Sequence, residues 1–501
     1  MGAPEPRSLA NAASNVGCLM SLVRSRPAAW LALIGLSFSA ANGCAPFFSW
    51  LPGFQDPEQA GWIVRWNRLA IDASGLDHTP VAAGESRTFG HHLGPTKSSR
   101  AMAIVHIAMF EAVNAIRGGF QSYVGATPAP DASLKAAIAQ AAHDTLTALY
   151  PSHNPTFDNA LAEDLATIPD DASKQAGIAV GQQAAALILA MRTGDRSEVD
   201  DPYVFSDQPG KWRVDPINPT QQPLGDEWAK VAPFALTRAD QFRSPPPPAI
   251  DSPEYAEAYN EAKEFGGDAI VTATSRTAEQ TQIGLYWAYD GTPSLCAPPR
   301  LYNQIAVQLA TERGLGVVDL ARLLALANVA MADAGIGVWE SKYYYNYWRP
   351  VTAIREADLG SGPTGLGDNN PETFGDPAYV PLCAPASNLT AKNFTPPFPA
   401  YPSGHAGFGG ALFETLRDFF GTDDIAFTFV SDEFNGETVD NEGNVRPLVP
   451  RSFNSLSQAE EENGQSRIYL GIHWRFDKTE GIALGNRVAD FVSANLFQPV
   501  P

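Results

Sequence analysis

The chain has 501 residues, 44% hydrophobic and 18% charged, with 34 basic against 55 acidic side chains and a formal net charge of −21. That length exceeds one ordinary core and calls for two lobes or one large domain with insertions. The acidic balance opposes nucleic acid and anionic membrane as partners, and no apolar stretch has the length of an ordinary membrane span.

At the N-terminus, Arg24 and Arg26 precede "PAAWLALIGLSFSAANGCA", a short apolar run followed by small residues. This is the pattern of an export signal over residues 1–41, with Ser39-Ala40-Ala41 as a cleavage site. "ANGC", ending at Cys44, is a loose lipobox, so a lipid anchor is the alternative to a free periplasmic or secreted protein. Of the four cysteines, Cys18 would leave with the signal. Cys296 and Cys383 lie in the loop-like contexts "SLCAPP" and "PLCAPA" and are candidates to pair in an oxidising compartment, if their Cα atoms approach closely enough.

Apolar residues at three- and four-residue spacing predict helices over 101–116, 133–149, 173–192, 301–312, 317–348, 404–420, 455–470 and 477–496. Strand alternation is scarce. "SPPPPAI" (244–250) breaks the chain and divides an N-terminal helical domain (42–243) from a C-terminal one (251–501). Residues 356–400, rich in Gly, Pro, Asp and Asn, read as a long functional loop. The expected architecture is mainly α, built from helical bundles.

Three stretches carry chemistry. In "KYYYNYWRP", Lys342 and Arg349 are seven apart, so on one helix they return to within about 20° of the same direction and converge on a small anion. Pro350 would end that helix. The aromatic residues between them argue for burial, and a buried Lys and Arg require an anionic partner. In "AYPSGHAGFGG", Ser403 and Gly404 open a helix whose N–H groups and dipole favour an anion; a capping serine alone is common. His405 in the first turn serves no capping need and is a candidate acid–base group. In "SRIYLGIHWRFD", Arg467 and His473 meet at one site only if the helix breaks, and Gly471 permits the break. Asp477, four residues after His473, can hold the far imidazole nitrogen and fix its tautomer. His106 reads as a core residue, His91 and His92 as loop residues. His78, His143 and His153 have no partner at metal-ligand spacing, and no zinc or calcium motif is present.

K-x6-RP, PSGH and SR-x5-H-x3-D, in that order, resemble the signature shared by vanadium haloperoxidases and the type-2 phosphatidic acid phosphatase (PAP2) superfamily. "YWAYDG" (286–291), "PPRLYNQI" (298–305), "DAGIGVWESKYYYNYWRP" (333–350) and "PPFPAYPSGHAGFGG" (396–410) are similar to the fungal-type vanadium chloroperoxidases. So, more weakly, are "WNRLAID" (66–72) and the helix at 101–116. The resemblance implies two four-helix bundles with vanadate at one end of the second. It implies that His473 binds vanadium axially. Lys342, Arg349 and Arg467 would neutralise the equatorial oxygens, with Ser403 and the Gly404 N–H hydrogen-bonded to them. His405 would be the acid–base histidine with Asp290 as its carboxylate partner, expected within hydrogen-bond reach and raising its pKa. Phe398 and Trp339 would face the halide, and algal bromoperoxidases resemble one another in having a histidine at the Phe398 position. Hydrogen peroxide, polarised by Lys342, and a halide would then be substrates, bromide foremost and chloride next, with a small organic acceptor as a further partner. The same residues also suit an acid phosphatase, in which His473 forms phosphohistidine and His405 protonates the leaving alcohol.

Overall fold

Helices form where the three- and four-residue spacing required them, and small residues at their crossings decide how closely they pack. A computed structural model describes residues 57–199, 202–386, 393–440 and 442–500; the expected export signal and Cys44 lie outside them. In the first half, α1 (Pro57–Asp77), α2 (Gly94–Arg117), α3 (Leu134–Leu149), α4 (Asn154–Ala166) and α5 (Ala172–Met191) pack together, with α2, α3 and α5 in mutual contact. α2 is long and apolar enough to cross a membrane, but it is the buried centre of this group. In the second half come α6 (Pro253–Gly266), α7 (Ala278–Tyr286), α8 (Pro298–Glu312), α9 (Val317–Tyr345), α10 (Pro350–Glu356), α11 (Gly404–Phe420), α12 (Leu456–Tyr469) and α13 (Arg475–Asn495). α9, α11 and α13 pack against one another, and α9 also packs on α2, so one apolar core runs from Ala60 to Phe497.

The "SPPPPAI" stretch adheres to α9 and its surroundings rather than hanging free. Tyr345, Tyr401 and Tyr347 donate their hydroxyls to the carbonyls of Ser244, Pro245 and Pro248 at 2.8, 2.6 and 2.9 Å. Three aromatic residues of the "YYYNYW" segment and its neighbourhood thereby satisfy backbone that prolines cannot pair through N–H.

The expected helix over 317–348 stops early. α9 ends at Tyr345, and Asn346 takes a left-handed conformation (φ 54°) with its N–H donating to the Lys342 carbonyl. Asn tolerates that conformation where most residues do not. Lys342 and Arg349 therefore do not share a helix face, and Pro350 begins α10 instead of ending α9. The break near Gly471 is present: α12 ends at Tyr469, Gly471 has φ +70°, and α13 starts at Arg475. A Cβ on Gly471 would also lie 2.6 Å from the Gly266 carbonyl oxygen, so glycine is required there twice over.

A hairpin of β1 (Phe427–Asn435) and β2 (Leu448–Phe453), antiparallel with Phe427 opposite Phe453, was not anticipated. Its burial alternates along Phe427, Phe429 and Ser431, a signal too short to stand out among helices. It buttresses residues 286–289: Tyr286 donates its hydroxyl to the Phe429 carbonyl, and the Tyr289 N–H donates to Glu433. Cys296 and Cys383 are both buried and unpaired; Cys296 Sγ meets Ser74 Oγ at 2.8 Å and Cys383 Sγ meets Thr395 Oγ1 at 3.5 Å.

The α11–α13 crossing sets the site, and glycines allow it. A Cβ on Gly485 would stand 2.2 Å from the Gly407 carbonyl oxygen, and one on Gly481 2.7 Å from that of Ser403. Gly485→Ala should lower stability by about 1–3 kcal/mol through overpacking. Gly61→Ala, at an exposed position of α1 with nothing within 4 Å, should raise it by up to about 1 kcal/mol through helix propensity. Calorimetric melting of both variants checks the pair, and equal effects would contradict the crossing argument.

Candidate active site

Lys342, near the end of α9, is fully buried and donates Nζ–H to the carbonyls of Pro399 and Ala400 at 2.7 and 2.9 Å. Arg349, at the start of α10, donates Nε–H to the Phe398 carbonyl at 2.9 Å and Nη1–H to the Ile472 carbonyl at 2.8 Å. The two cations thus converge through the segment 398–400, the end of the long loop, and not through a common helix. Arg467, on the last turn of α12, is also fully buried. Burial pushes Lys342 well below the usual lysine value, with Arg349 adding repulsion. Burial likewise pulls Arg349 down to about 9.

His473 lies in the turn between α12 and α13. Its Nδ1–H donates to Asp477 Oδ2 at 2.7 Å, and the same oxygen accepts the Trp474 N–H at 3.0 Å. Asp477 acts as a first-turn acid reaching back over the start of α13, and this fixes the imidazole tautomer. The other nitrogen, Nε2, faces the site and accepts Arg349 Nη1–H at 3.0 Å. Burial, then Arg349 and Lys342, hold His473 well below its usual value, so it is neutral with a free electron pair on Nε2. Burial raises Asp477 to about 7.

Ser403 caps α11, accepting the Ala406 N–H at 3.4 Å, while its own N–H donates to the Asp477 carbonyl at 2.9 Å. That bond ties the mouth of α11 to α13. Gly404 is pressed against Trp339, whose ring carbons lie 3.2 Å from where a Cβ would be.

The expected bond between Asp290 and His405 is not formed. Asp290 Oδ1 is 3.9 Å from His405 Nδ1, within ion-pair range but too long for a hydrogen bond. Both Asp290 oxygens instead accept from Arg467 Nη2, at 2.7 and 2.8 Å. A permanent guanidinium charge outcompetes a neutral imidazole for the carboxylate. The His405 pKa is consequently lowered, to about 4, by burial first and Arg467 second, with Asp290 opposing only in part. His405 Nε2–H donates to the Ala288 carbonyl at 2.5 Å, which leaves Nδ1 as the acceptor. Ala288 was invisible to sequence reasoning because it acts through its backbone.

A narrow cleft joins these groups. Asp290, Gly404, His405, Arg467 and His473 supply its polar side. Trp339, Phe398 and Phe408 form an apolar wall with Pro95, Pro298 and Pro396, and the Trp339 and Phe398 rings are 4.8 Å apart between centroids. Lys342, Arg349 and Ser403 stand behind this lining. Arg349 Nη2, Arg467 Nε and Nη1, and Asp477 Oδ1 are buried without a hydrogen-bond partner. The first-turn N–H groups of α11 have no acceptor within their own helix. Unsatisfied guanidinium donors beside a helix N-terminus and a lone-pair nitrogen fit a small tetrahedral or trigonal-bipyramidal oxyanion. Of the remaining histidines, His106 meets Asn67 at 3.0 Å and His92 meets the Leu149 carbonyl at 2.9 Å, both inside the core.

The fold and cleft define a helical-bundle protein with a buried oxyanion cup. Residues 322–500 match the family described as the VCPO second helical-bundle domain. Over 513 residues the chain is 31% identical to vanadium chloroperoxidase of Curvularia inaequalis, across 85% of this chain and 81% of that protein. A bacterial vanadium-dependent iodoperoxidase structure matches with a TM-score of 0.69 at 23% identity, covering 88% of this chain and 97% of that one. A holo bacterial vanadium-dependent chloroperoxidase matches with a TM-score of 0.61 at 16% identity, covering 83% and 95%. The chain belongs to the vanadium chloroperoxidase family of haloperoxidases.

Two outcomes test this geometry. In anion-free protein, NMR titration should find His405 titrating near 4. Asp290→Asn should move that titration lower still, because the carboxylate favours the charged ring and its loss leaves Arg467 uncompensated; an upward move would contradict the electrostatics. Phosphate at a hundred times its Kd should raise stability by about 2.7 kcal/mol. Lys342→Met should stabilise the anion-free protein and shrink the phosphate effect, as seen in thermal melts with and without phosphate.

Proposed function

We propose that this protein binds vanadate and oxidises halide with hydrogen peroxide, releasing hypohalous acid: bromide readily, chloride as the harder substrate. The observation that carries the reading is the set of unsatisfied donors on Arg349 and Arg467 around His473 Nε2, beneath the Trp339–Phe398 wall. His473 is the one protein ligand suited to vanadium, because Asp477 holds its proton on Nδ1. Arg349 would redirect the hydrogen bond it donates through Nη1–H from that nitrogen to an oxygen of the anion. Arg467, Ser403 and the Gly404 N–H would take the other oxygens, and Lys342 adds charge from behind. Bound vanadate supplies a Lewis acid that activates peroxide without changing oxidation state.

His405, neutral at ordinary pH, takes a proton from hydrogen peroxide at Nδ1, while Ala288 keeps the other proton on Nε2. Asp290 positions Arg467 and biases His405 from 3.9 Å. The apolar wall excludes water and leaves the halide weakly solvated beside the reacting oxygens. Halide and peroxide balance as hypohalous acid plus water with net uptake of one proton from solvent, and His405 returns the proton it took from peroxide. The phosphatase reading uses the same cup with His405 protonated to expel an alcohol, but the 31% identity to a vanadium chloroperoxidase over most of both chains favours halide oxidation. The expected export signal suits a product that is toxic inside the cell, and a small organic acceptor would consume it outside.

Apo-protein reconstituted with vanadate should halogenate a trapping dye with peroxide and bromide, and phosphate should suppress the reaction by competing for Lys342, Arg349 and Arg467. His473→Ala should abolish it. Phe398→His should move preference from chloride toward bromide. Phosphate-ester turnover without halide oxidation at any vanadate level would sink the proposal.

A further inference from the structure

The two rings of the apolar wall come from different elements, Trp339 from α9 and Phe398 from the end of the long loop. Aromatic rings 4.8 Å apart and tilted by 55° do not hold that arrangement by themselves. A single residue outside both elements, Leu224, bonds to each. Its carbonyl accepts the Trp339 indole N–H at 3.0 Å and the Tyr343 hydroxyl at 3.0 Å, one helical turn further along α9. Its N–H donates to the carbonyl of Pro397, the residue before Phe398, at 3.0 Å. Gln221 adds a bond from its side-chain amide to the Thr395 carbonyl at 3.1 Å.

The neighbouring residue is equally constrained. Gly225 has φ +76°, and a Cβ there would lie 2.6 Å from Trp339 Nε1 and 2.7 Å from Cδ1. On its other side the Leu224 side chain fills the space beside Gly94, where a Cβ would be 2.6 Å from Leu224 Cδ2. Gly94 precedes Pro95, which lines the cleft. The strap 221–225 therefore lies against the indole and against the mouth of the cleft. Because the indole N–H is committed to Leu224, Trp339 offers the cleft its ring and not a hydrogen-bond donor.

We infer that Leu224 and Gly225 are positioning residues for halide selection, fixing the Trp339 ring relative to Phe398 through the Leu224 carbonyl and the absence of a side chain at Gly225. The inference rests on the proposed halide role of that wall. Halides differ in radius and in the ease of shedding water, so a wall displaced by a fraction of an ångström changes discrimination between them more than it changes the oxyanion cup behind it.

The test is a double-mutant cycle of Gly225→Ala and Trp339→Phe on the vanadate-loaded enzyme. Gly225→Ala is expected to displace the indole in a crystal structure and to change the chloride-to-bromide ratio of kcat/KM by about tenfold. Vanadate Kd and the KM for peroxide should stay within about twofold, a split that general loosening of the fold would not produce. In the Trp339→Phe background, Gly225→Ala should have no further effect on the ratio. If Gly225→Ala does not fold, Tyr343→Phe removes a donor from the same carbonyl and should move the ratio in the same direction by less. An unmoved indole, an unchanged halide ratio, or a vanadate Kd that weakens in parallel each overturns the inference. Wild-type protein that oxidises no halide overturns the functional reading itself, and that control is read before any variant.

Discussion

Lys342, Arg349 and Arg467 are each about fully buried, and they repel one another within a single site. Isolated buried charges are penalised by several kcal/mol each after relaxation. The protein offsets this incompletely. Backbone carbonyls of residues 398–400 and 472 receive Lys342 and part of Arg349, and Asp290 receives one end of Arg467. What is left over is three buried guanidinium nitrogens without partners, one on Arg349 and two on Arg467. The resulting affinity for an oxyanion is the relief of a strain already present in the fold.

Holding such a site requires rigidity, because the cations would otherwise turn toward water. The rigidity comes from close backbone contact between α11 and α13, made possible by Gly410, Gly481 and Gly485. The Ser403 N–H bond to the Asp477 carbonyl joins the two helix mouths directly. The N-terminal end of α11, Asp477 in the first turn of α13 and the His473 that Asp477 holds are thus parts of one packed crossing. Displacement of either helix would move the capping serine and the imidazole together.

Much of this was legible in the sequence, for identifiable reasons. Apolar periodicity marked α2, α3, α5, α8, α9 and α11 to α13, since long amphipathic helices repeat their signal over several turns. Gly471 marked a real break because positive φ and a close approach to Gly266 both exclude other residues. Helical spacing failed for Lys342 and Arg349: nothing local forbade continuation through "YYYNYW", and the left-handed turn at Asn346 is held by distant residues, the Tyr203 hydroxyl donating to its side chain and the Trp212 N–H to its carbonyl. The pairing of Asp290 was likewise out of reach. Whether a carboxylate serves a histidine or an arginine depends on which donor tertiary structure brings nearer. Short elements such as the hairpin, and backbone acceptors such as Ala288 and Leu224, leave no side-chain signature at all.

The electrostatics of His405 connect the site's two halves. A histidine beside an unopposed carboxylate would be charged, and a charged ring would add a further cation to the cup. Asp290 instead gives both oxygens to Arg467 and opposes only in part the burial and the Arg467 charge that lower His405 to about 4, so Nδ1 remains able to accept a proton. The same pairing occupies Arg467 Nη2 and leaves Nε and Nη1 without partners. One carboxylate therefore orients Arg467 and partly offsets the lowering of His405, coupling the two side chains.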